Sequence, residues 1–295
     1  MAGEGIVRVS RRKPCPVCGK PDWCGLLVDG SACICMRVEQ GAVSRTRNGG
    51  WLHRLRDTRY VRGCRQVGLR VTGRRNGSQT ALAQGAAAFQ RTADRAMLQR
   101  FAARLGVSVR SLRRLEVGWS LCHRAWSFPM KDGGRTVGIR LRSWAGRKWS
   151  VRGGHEGLFV PHGLGCSGRL LLPEGPTDVA TLLDLGFEAV GRPSCTGGVR
   201  SLVRFIRSRK PREAVVVADR DVHGAGQRGA GSLAAVLVVH CPVRVIAPPP
   251  PFADVRDWRR AGATNADIVA LCAATPARRL VVSVSVAGPP GRARR

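Results

Sequence analysis

Short apolar runs broken by turn residues organise the second half of this chain. Leu170-Leu171-Leu172 leads into Glu174-Gly175-Pro176-Thr177-Asp178, and Val215-Val216-Val217 leads into Ala218-Asp219-Arg220-Asp221. Runs of this length that end in turn signals predict buried parallel strands. From 168 to 271 the pattern predicts strand 169–173, helix 178–185, strand 188–190, helix 199–208, strand 214–218, helix 226–238 and strand 243–247. Right-handed crossovers of this length imply a mostly parallel, doubly wound α/β sheet. The proline run Pro248 to Pro251 ends it.

Upstream the period changes. Met97, Leu98, Phe101 and Leu105 recur at helical spacing, with Asp94 to cap the start and Gly106 to close the end. A second short helix is expected over 111–116, then strands 125–130 and 136–142 about the turn Asp132-Gly133-Gly134. Arg140, Arg142, Arg147, Lys148 and Arg152 are interleaved with Trp144 and Trp149. Such alternation suits a groove that tracks a nucleic-acid backbone, and equally a solvated sheet face whose tryptophans turn into the core. Residues 58–92 are rich in Gly, Arg and Ala without clear period, which predicts a flexible basic linker. The chain thus divides into a cysteine-rich module (10–57), the linker (58–92), a mixed α+β domain (93–165), the α/β domain (166–275) and a basic tail (276–295).

Charge sharpens this picture. The 295 residues carry a net +31, almost all of it arginine, since lysine occurs only at 13, 20, 131, 148 and 210. A surplus of that size calls for a polyanion such as DNA or RNA. A GC-rich genome would also raise arginine, but it would not place acids in a metal-site pattern. The eleven cysteines are an odd number, and five of them lie between Cys15 and Cys35, which argues against a disulfide scaffold. Met1 to Lys13 has no apolar signal region, and no stretch approaches the ~20 apolar residues of a membrane span. These features predict a soluble, reduced, cytoplasmic chain with no membrane partner.

Cys15-Pro-Val-Cys18-Gly19 places two thiols on a tight turn, and Cys24 and Cys35 flank the hairpin signal Asp29-Gly30. Bringing that hairpin against the turn makes a closed four-thiol site suited to structural Zn²⁺. Cys33, two residues from Cys35, would point to the same face and stands as an alternative ligand.

Glu174, Asp178, Asp219 and Asp221 all fall at carboxyl ends of predicted strands, the edge where open α/β sheets bind ligands. Carboxylates converging there suit Mg²⁺ held against phosphate oxygens, with Mn²⁺ as a substitute. Asp178 reads equally as a helix N-cap. His223-Gly224-Ala225-Gly226-Gln227-Arg228 leads into a helix. Its backbone N–H groups at Gly224 and Gly226 and the Arg228 guanidinium could take a triphosphate, or the segment is a plain connecting loop. No histidine or acid is placed by sequence to activate Cys195 within Ser194-Cys195-Thr196-Gly197-Gly198.

The order and surroundings of these acids resemble the Toprim domain, found in primases, topoisomerases and some nucleases. In that resemblance Glu174, Asp219 and Asp221 ligate or support Mg²⁺. Ala253-Asp254-Val255-Arg256-Asp257-Trp258 is similar to a further primase element in which a lysine precedes an acid. Alanine stands at 253 here, and Asp254 is left as a third metal-side acid. Cys15 to Arg37, with Gly50-Trp51-Leu52-His53, resembles the zinc module of phage-type primases. There the last ligand directly precedes the basic residue, which favours Cys35, and Arg37, Arg45, Arg47 and His53 become residues that could face DNA. Leu105-Gly106-Val107-Ser108, Phe128-Pro129, Gly138-Ile139-Arg140, Lys148-Trp149-Ser150 and Gly157-Leu158-Phe159 are similar to the domain preceding Toprim in that family.

The resemblance implies a Toprim-like fold after a small mixed α+β domain and an N-terminal zinc-binding β module. It implies a DNA primase-type nucleotidyltransferase from a phage or other mobile element, making short RNA primers from ribonucleoside triphosphates on single-stranded DNA. No lysine closes a GxxxxGK[ST] loop, so a replicative helicase would act in trans. The only tyrosine, Tyr60, falls in the expected linker and gives a topoisomerase no nucleophile near the acids. A Toprim metal-dependent nuclease and a non-catalytic DNA-binding or priming-control protein are the alternatives.

Overall fold

Antiparallel pairing of very short strands builds the first of two compact units, Met1–Arg65. The computed structural model describes residues 6–27, 32–46, 49–55, 75–165 and 168–281. In the first unit β1 (Ile6–Arg8), β2 (Gly25–Leu27), β3 (Ala32–Cys35), β4 (Ser44–Arg45) and β5 (Trp51–Arg54) form a sheet in the order β1-β2-β3-β5-β4. The Asp29-Gly30 turn lies outside the described residues. Its flanks pair as a hairpin requires, with Gly25 opposite Ile34 and Leu26 opposite Cys33. Strands this short bury little apolar surface, and cysteine supplies much of it: Val9, Leu26, Cys15, Cys24, Cys33 and Cys35 make the core.

The second unit, Gln66–Arg295, opens with three helices. They are α1 (Arg75–Thr92), α2 (Arg95–Leu105) and α3 (Val109–Arg114). The expected linker over 58–92 is therefore corrected across 75–92, while 58–74 lies outside the described residues. Alanine is the best helix former, and its small side chain allows close approach. Leu82 and Ala86 are buried against the following sheet, and a Cβ on Gly118 would meet the Phe89 backbone at 2.3 Å. Asp94 caps α2 by accepting from the Met97 N–H, and Gly106, at φ 73°, ends it, as the sequence predicts.

An antiparallel sheet follows, ordered β6 (Gly118–Ser120), β7 (Ala125–Asp132), β8 (Arg135–Ser143) and β9 (Lys148–Ser150). Its tryptophans face the core. Trp126 stacks on Phe101 at 4.2 Å between ring centroids, with Trp119 and Trp144 against its edges. Of the two tryptophans interleaved with arginine, Trp144 is thus spent on packing, whereas Trp149 is half-buried with Arg147 5.7 Å over its ring.

Four parallel strands complete the unit: β10 (Arg169–Leu172), β11 (Glu188–Ala189), β12 (Glu213–Val217) and β13 (Val243–Ile246), ordered β11-β10-β12-β13. The helices α4 (Pro176–Asp184), α5 (Val199–Arg209) and α6 (Ala225–Leu237) connect them, and α7 (Val255–Arg260) and α8 (Asn265–Ala274) follow. The two central strands, β10 and β12, are buried runs after their first residue, as strands covered on both faces must be. One apolar cluster includes Phe101, Trp126 and Phe128 together with Leu171, Val179 and Val215. The stretches 93–165 and 166–275 accordingly share a core. Tail residues 282–295 lie outside the described residues, whereas Arg278 pairs with Val243. Among the described residues no helix is long and apolar enough to cross a membrane.

Candidate metal centres and the acid edge

The thiols of Cys15, Cys18, Cys24 and Cys35 lie within 4.8 Å of one another. Cys18 and Cys24 are 3.7 Å apart at sulfur, and Cys24 and Cys35 are 3.9 Å apart. Cys33 is fully buried and touches Cys15 at 3.5 Å, yet it stands outside that mutual cluster. Burial opposes ionisation of Cys18, but the Lys20 N–H and the neighbouring thiols draw its pKa down to about 6. Burial pushes Cys24 up to about 12. Such a set ionises fully only with a cation among the sulfurs, and four soft thiolates at this spacing fit Zn²⁺.

Arg37 does not face outward freely. It pairs with Asp22 at 2.6 Å and donates toward the sulfurs of Cys18 and Cys24. His53 is buried, its Nε2 2.7 Å from the Val38 carbonyl oxygen, which removes it from a DNA-facing role. Arg45 stays exposed and lies over the Trp51 ring, whereas Arg47 is outside the described residues.

In the second unit the acids gather at the carboxyl edge of the parallel sheet. Glu174 follows β10 and bridges Arg192, which lies just beyond β11. Asp219 follows β12, and Asp254 caps α7 by accepting from the Asp257 N–H while Arg256 contacts it at 3.2 Å. Burial and the charges of Glu174 and Asp254 push Asp219 up to about 7, and Arg192 and Lys148 counteract them. Burial is the larger cause, and the two neighbouring carboxylates add to it.

Three residues at this edge carry more than their sequence context showed. Asp178 is not a helix cap, because Gly175 takes that position. Asp178 is instead buried, its Oδ1 has no hydrogen-bond partner, and burial with Asp254 and Asp219 nearby raises its pKa well above the carboxylate range. Arg192 is 1% exposed. It donates to the carbonyls of Cys195 (2.9 Å) and Val217 (3.4 Å), leaving its Nε unpaired. Its charge acts on both Glu174 and Asp219. Lys148, exposed on β9, adds the weakest of the named attractions to Asp178 and Asp219. Position at the carboxyl end of the strand predicted over 188–190 was the available signal for Arg192.

Asp221 is placed differently from Glu174 and Asp219. Its Oδ1 accepts from the N–H groups of His223 and Ala225, and its Oδ2 from Gly226 at 2.6 Å. These bonds hold its pKa below the usual range. The helix start at Gly224 and Gly226 therefore already holds an anion, the chain's own Asp221. Arg228 donates to the His223 carbonyl at 2.7 Å, so the loop is braced from both sides. Gly226 is required there, because a Cβ would meet the Asp219 carbonyl oxygen at 2.4 Å.

No protein-family model matches the sequence, and no curated protein matches it. Solved structures do. The zinc-binding and RNA polymerase domains of the Aquifex aeolicus primase align with a TM-score of 0.55 at 15% identity, over 72% of this chain and 64% of that one. The catalytic domain of DnaG primase bound to single-stranded DNA aligns at 0.54 and 15%, over 69% and 80%. The chain has the fold of a primase catalytic core. The E. coli primase catalytic core gives the same result, at 0.53 and 16% over 66% and 79%. The primase-core likeness and the four-thiol cluster agree with the fold and the zinc module that the sequence resemblance implies.

Proposed function

We propose that this primase-fold protein is a nucleotidyltransferase that makes short RNA primers on single-stranded DNA. One observation carries the reading: Glu174, Asp219 and Asp254 follow β10, β12 and β13 at the carboxyl edge of a parallel sheet in a unit with the primase-core fold. Glu174, Asp219 and Asp254 offer the hard oxygen ligands that Mg²⁺ takes. When bound, that ion supplies charge stabilisation for a primer 3′-oxygen attacking a ribonucleoside triphosphate.

The chain's own groups do the rest. Arg192 sets a buried positive charge near both Glu174 and Asp219, and its backbone pairs beside Glu174. Asp221 orders the loop after β12 and keeps the start of α6 against Asp219. Helix α5 leaves the same edge with Arg200, in its first turn, exposed and free of ion pairs among the described residues. That arginine is placed to take a template phosphate. The thiol module selects template sequence, and unwinding comes from a helicase in trans.

The test is direct. Purified protein with single-stranded DNA, four ribonucleotides and Mg²⁺ or Mn²⁺ should yield short RNA. Glu174→Gln should lower that yield at least ~10³-fold, a loss of several kcal/mol of transition-state stabilisation, while DNA binding persists. Cut DNA without new RNA would replace this reading with a nuclease. Binding with neither product would leave a priming-control protein.

A further inference from the structure

A groove of about 860 Å³ opens between the end of α1, the outer face of α2 and α3. Arg95 and Gln99 are four residues apart on α2, and Arg110 and Arg113 three apart on α3, so each pair presents one helix face to the groove. Arg95, Arg110 and Arg113 are exposed and have no ion pair or hydrogen bond among the described residues. The groove's acid, Glu116, is held by Lys131 at 2.6 Å.

This groove is not part of the acid edge. Arg114, on its rim, donates to the carbonyls of His162 and Gly163 and lies 3.6 Å from Glu188. Glu188 opens β11 and pairs with Leu170 near the start of β10. The rim thus lies at the amino ends of the parallel strands, and the acids lie at their carboxyl ends. The four residues of β10 alone separate the two by about 13 Å.

We propose that the groove is a second, sequence-independent binding site for the phosphates of a single-stranded nucleic acid. Three uncompensated guanidiniums and the Gln99 amide are the donors that phosphate oxygens take. No Phe, Tyr or Trp lines it among the described residues and His162 is its one ring, so it offers no run of platforms for successive bases. The occupant must come from outside the chain. The 19 acidic residues are far outnumbered by 50 basic ones, and no segment is acidic enough to fill a cationic groove.

The experiment uses the full chain with Arg95→Gln, Arg110→Gln and Arg113→Gln combined, and a fluorescein-labelled oligodeoxythymidylate read by anisotropy across a KCl series. Removing three phosphate contacts should make the log–log salt slope shallower by about 2. In the unmodified protein the oligonucleotide should shield Arg110 and Arg113 from phenylglyoxal, which needs no variant to fold. An unchanged slope, or arginines that stay reactive in the complex, overturns the proposal. Shielding by polyglutamate but not by the oligonucleotide assigns the groove to an acidic protein and overturns it too. Neither readout requires primer synthesis, so failure here is distinguishable from failure of the acid-edge reading.

Discussion

Two sets of like-charged ligands are built in opposite ways in this protein. The thiols come from one short stretch, Cys15 to Cys35, close to within 4.8 Å of one another, and are mostly buried. The acids come from three separated segments and meet only because strands β10 and β12 run side by side and α7 packs back. Among the described residues they form no comparably tight group. Instead they share an edge with buried Arg192 and with Lys148. Closure suits an ion that holds a module together. An edge left open, with charge partly balanced, suits an ion that must also reach a substrate.

The largest effect that could break the comparison is loss of the thiol centre. Cys24→Ser removes a sulfur that contacts both Cys18 and Cys35. Structural zinc supplies about 10–16 kcal/mol to small modules, more than strands of two to four residues can replace. Zinc content should fall from one per chain to near zero, and amide protection in the first unit should vanish while the second unit keeps its own. Cys33→Ser should keep the metal. Zinc retained by the Cys24 variant and lost by the Cys33 variant would show that the cluster closes on a different sulfur.

The acid edge should respond to pH instead. Asp178 and Asp219 both have raised folded pKa values, so each binds its proton more firmly in the folded than in the unfolded chain. Their contribution to stability therefore falls as pH climbs above the unfolded carboxyl value, and for Asp219 the loss runs through about 7. For Asp219 a rise from 3.8 to about 7 corresponds to at most about 4 kcal/mol. In Mg²⁺-free buffer, urea unfolding should show Asp219→Asn gaining stability over the wild type at pH 8 and little at pH 4. Asp178→Asn should gain in the same direction. A gain independent of pH would mean that packing, not charge, governs these sites.

How much of this was legible in the sequence follows from how local each cause is. The strands and helices between 169 and 247 emerge within a residue or two, because short apolar runs ending in glycine or acid leave few alternatives. The four thiols were legible for the same reason. Helix α1 was not, since Leu82, Ala86 and Phe89 look sparse among glycine and arginine until a sheet is laid beneath them. Asp178 passed for a cap because an acid early in a helix usually is one. Its raised pKa arises from burial in the packed unit and from the charge of Asp254, 76 residues on. Arg192 is one arginine among many, and only the bridge to Glu174 distinguishes it.

The smallest effect sharpens the comparison most. Lys148 is exposed on β9 and is the weakest of the named influences on both Asp178 and Asp219. Removing its charge with Lys148→Met should let the acids repel each other slightly more. The Asp219 midpoint, followed by carboxyl ¹³C shifts, should move upward by about 0.3 pH units at low salt and less at 0.5 M KCl, where screening weakens exposed charges. A downward move would mean that Lys148 does not face the acids. Arg192, buried and hydrogen-bonded to two carbonyls, should by contrast act on Asp219 almost independently of salt. That difference separates a cation that tunes the edge from solvent from one built into it. The thiol centre offers no such split, since Arg37 touches its sulfurs directly and is itself fixed by Asp22.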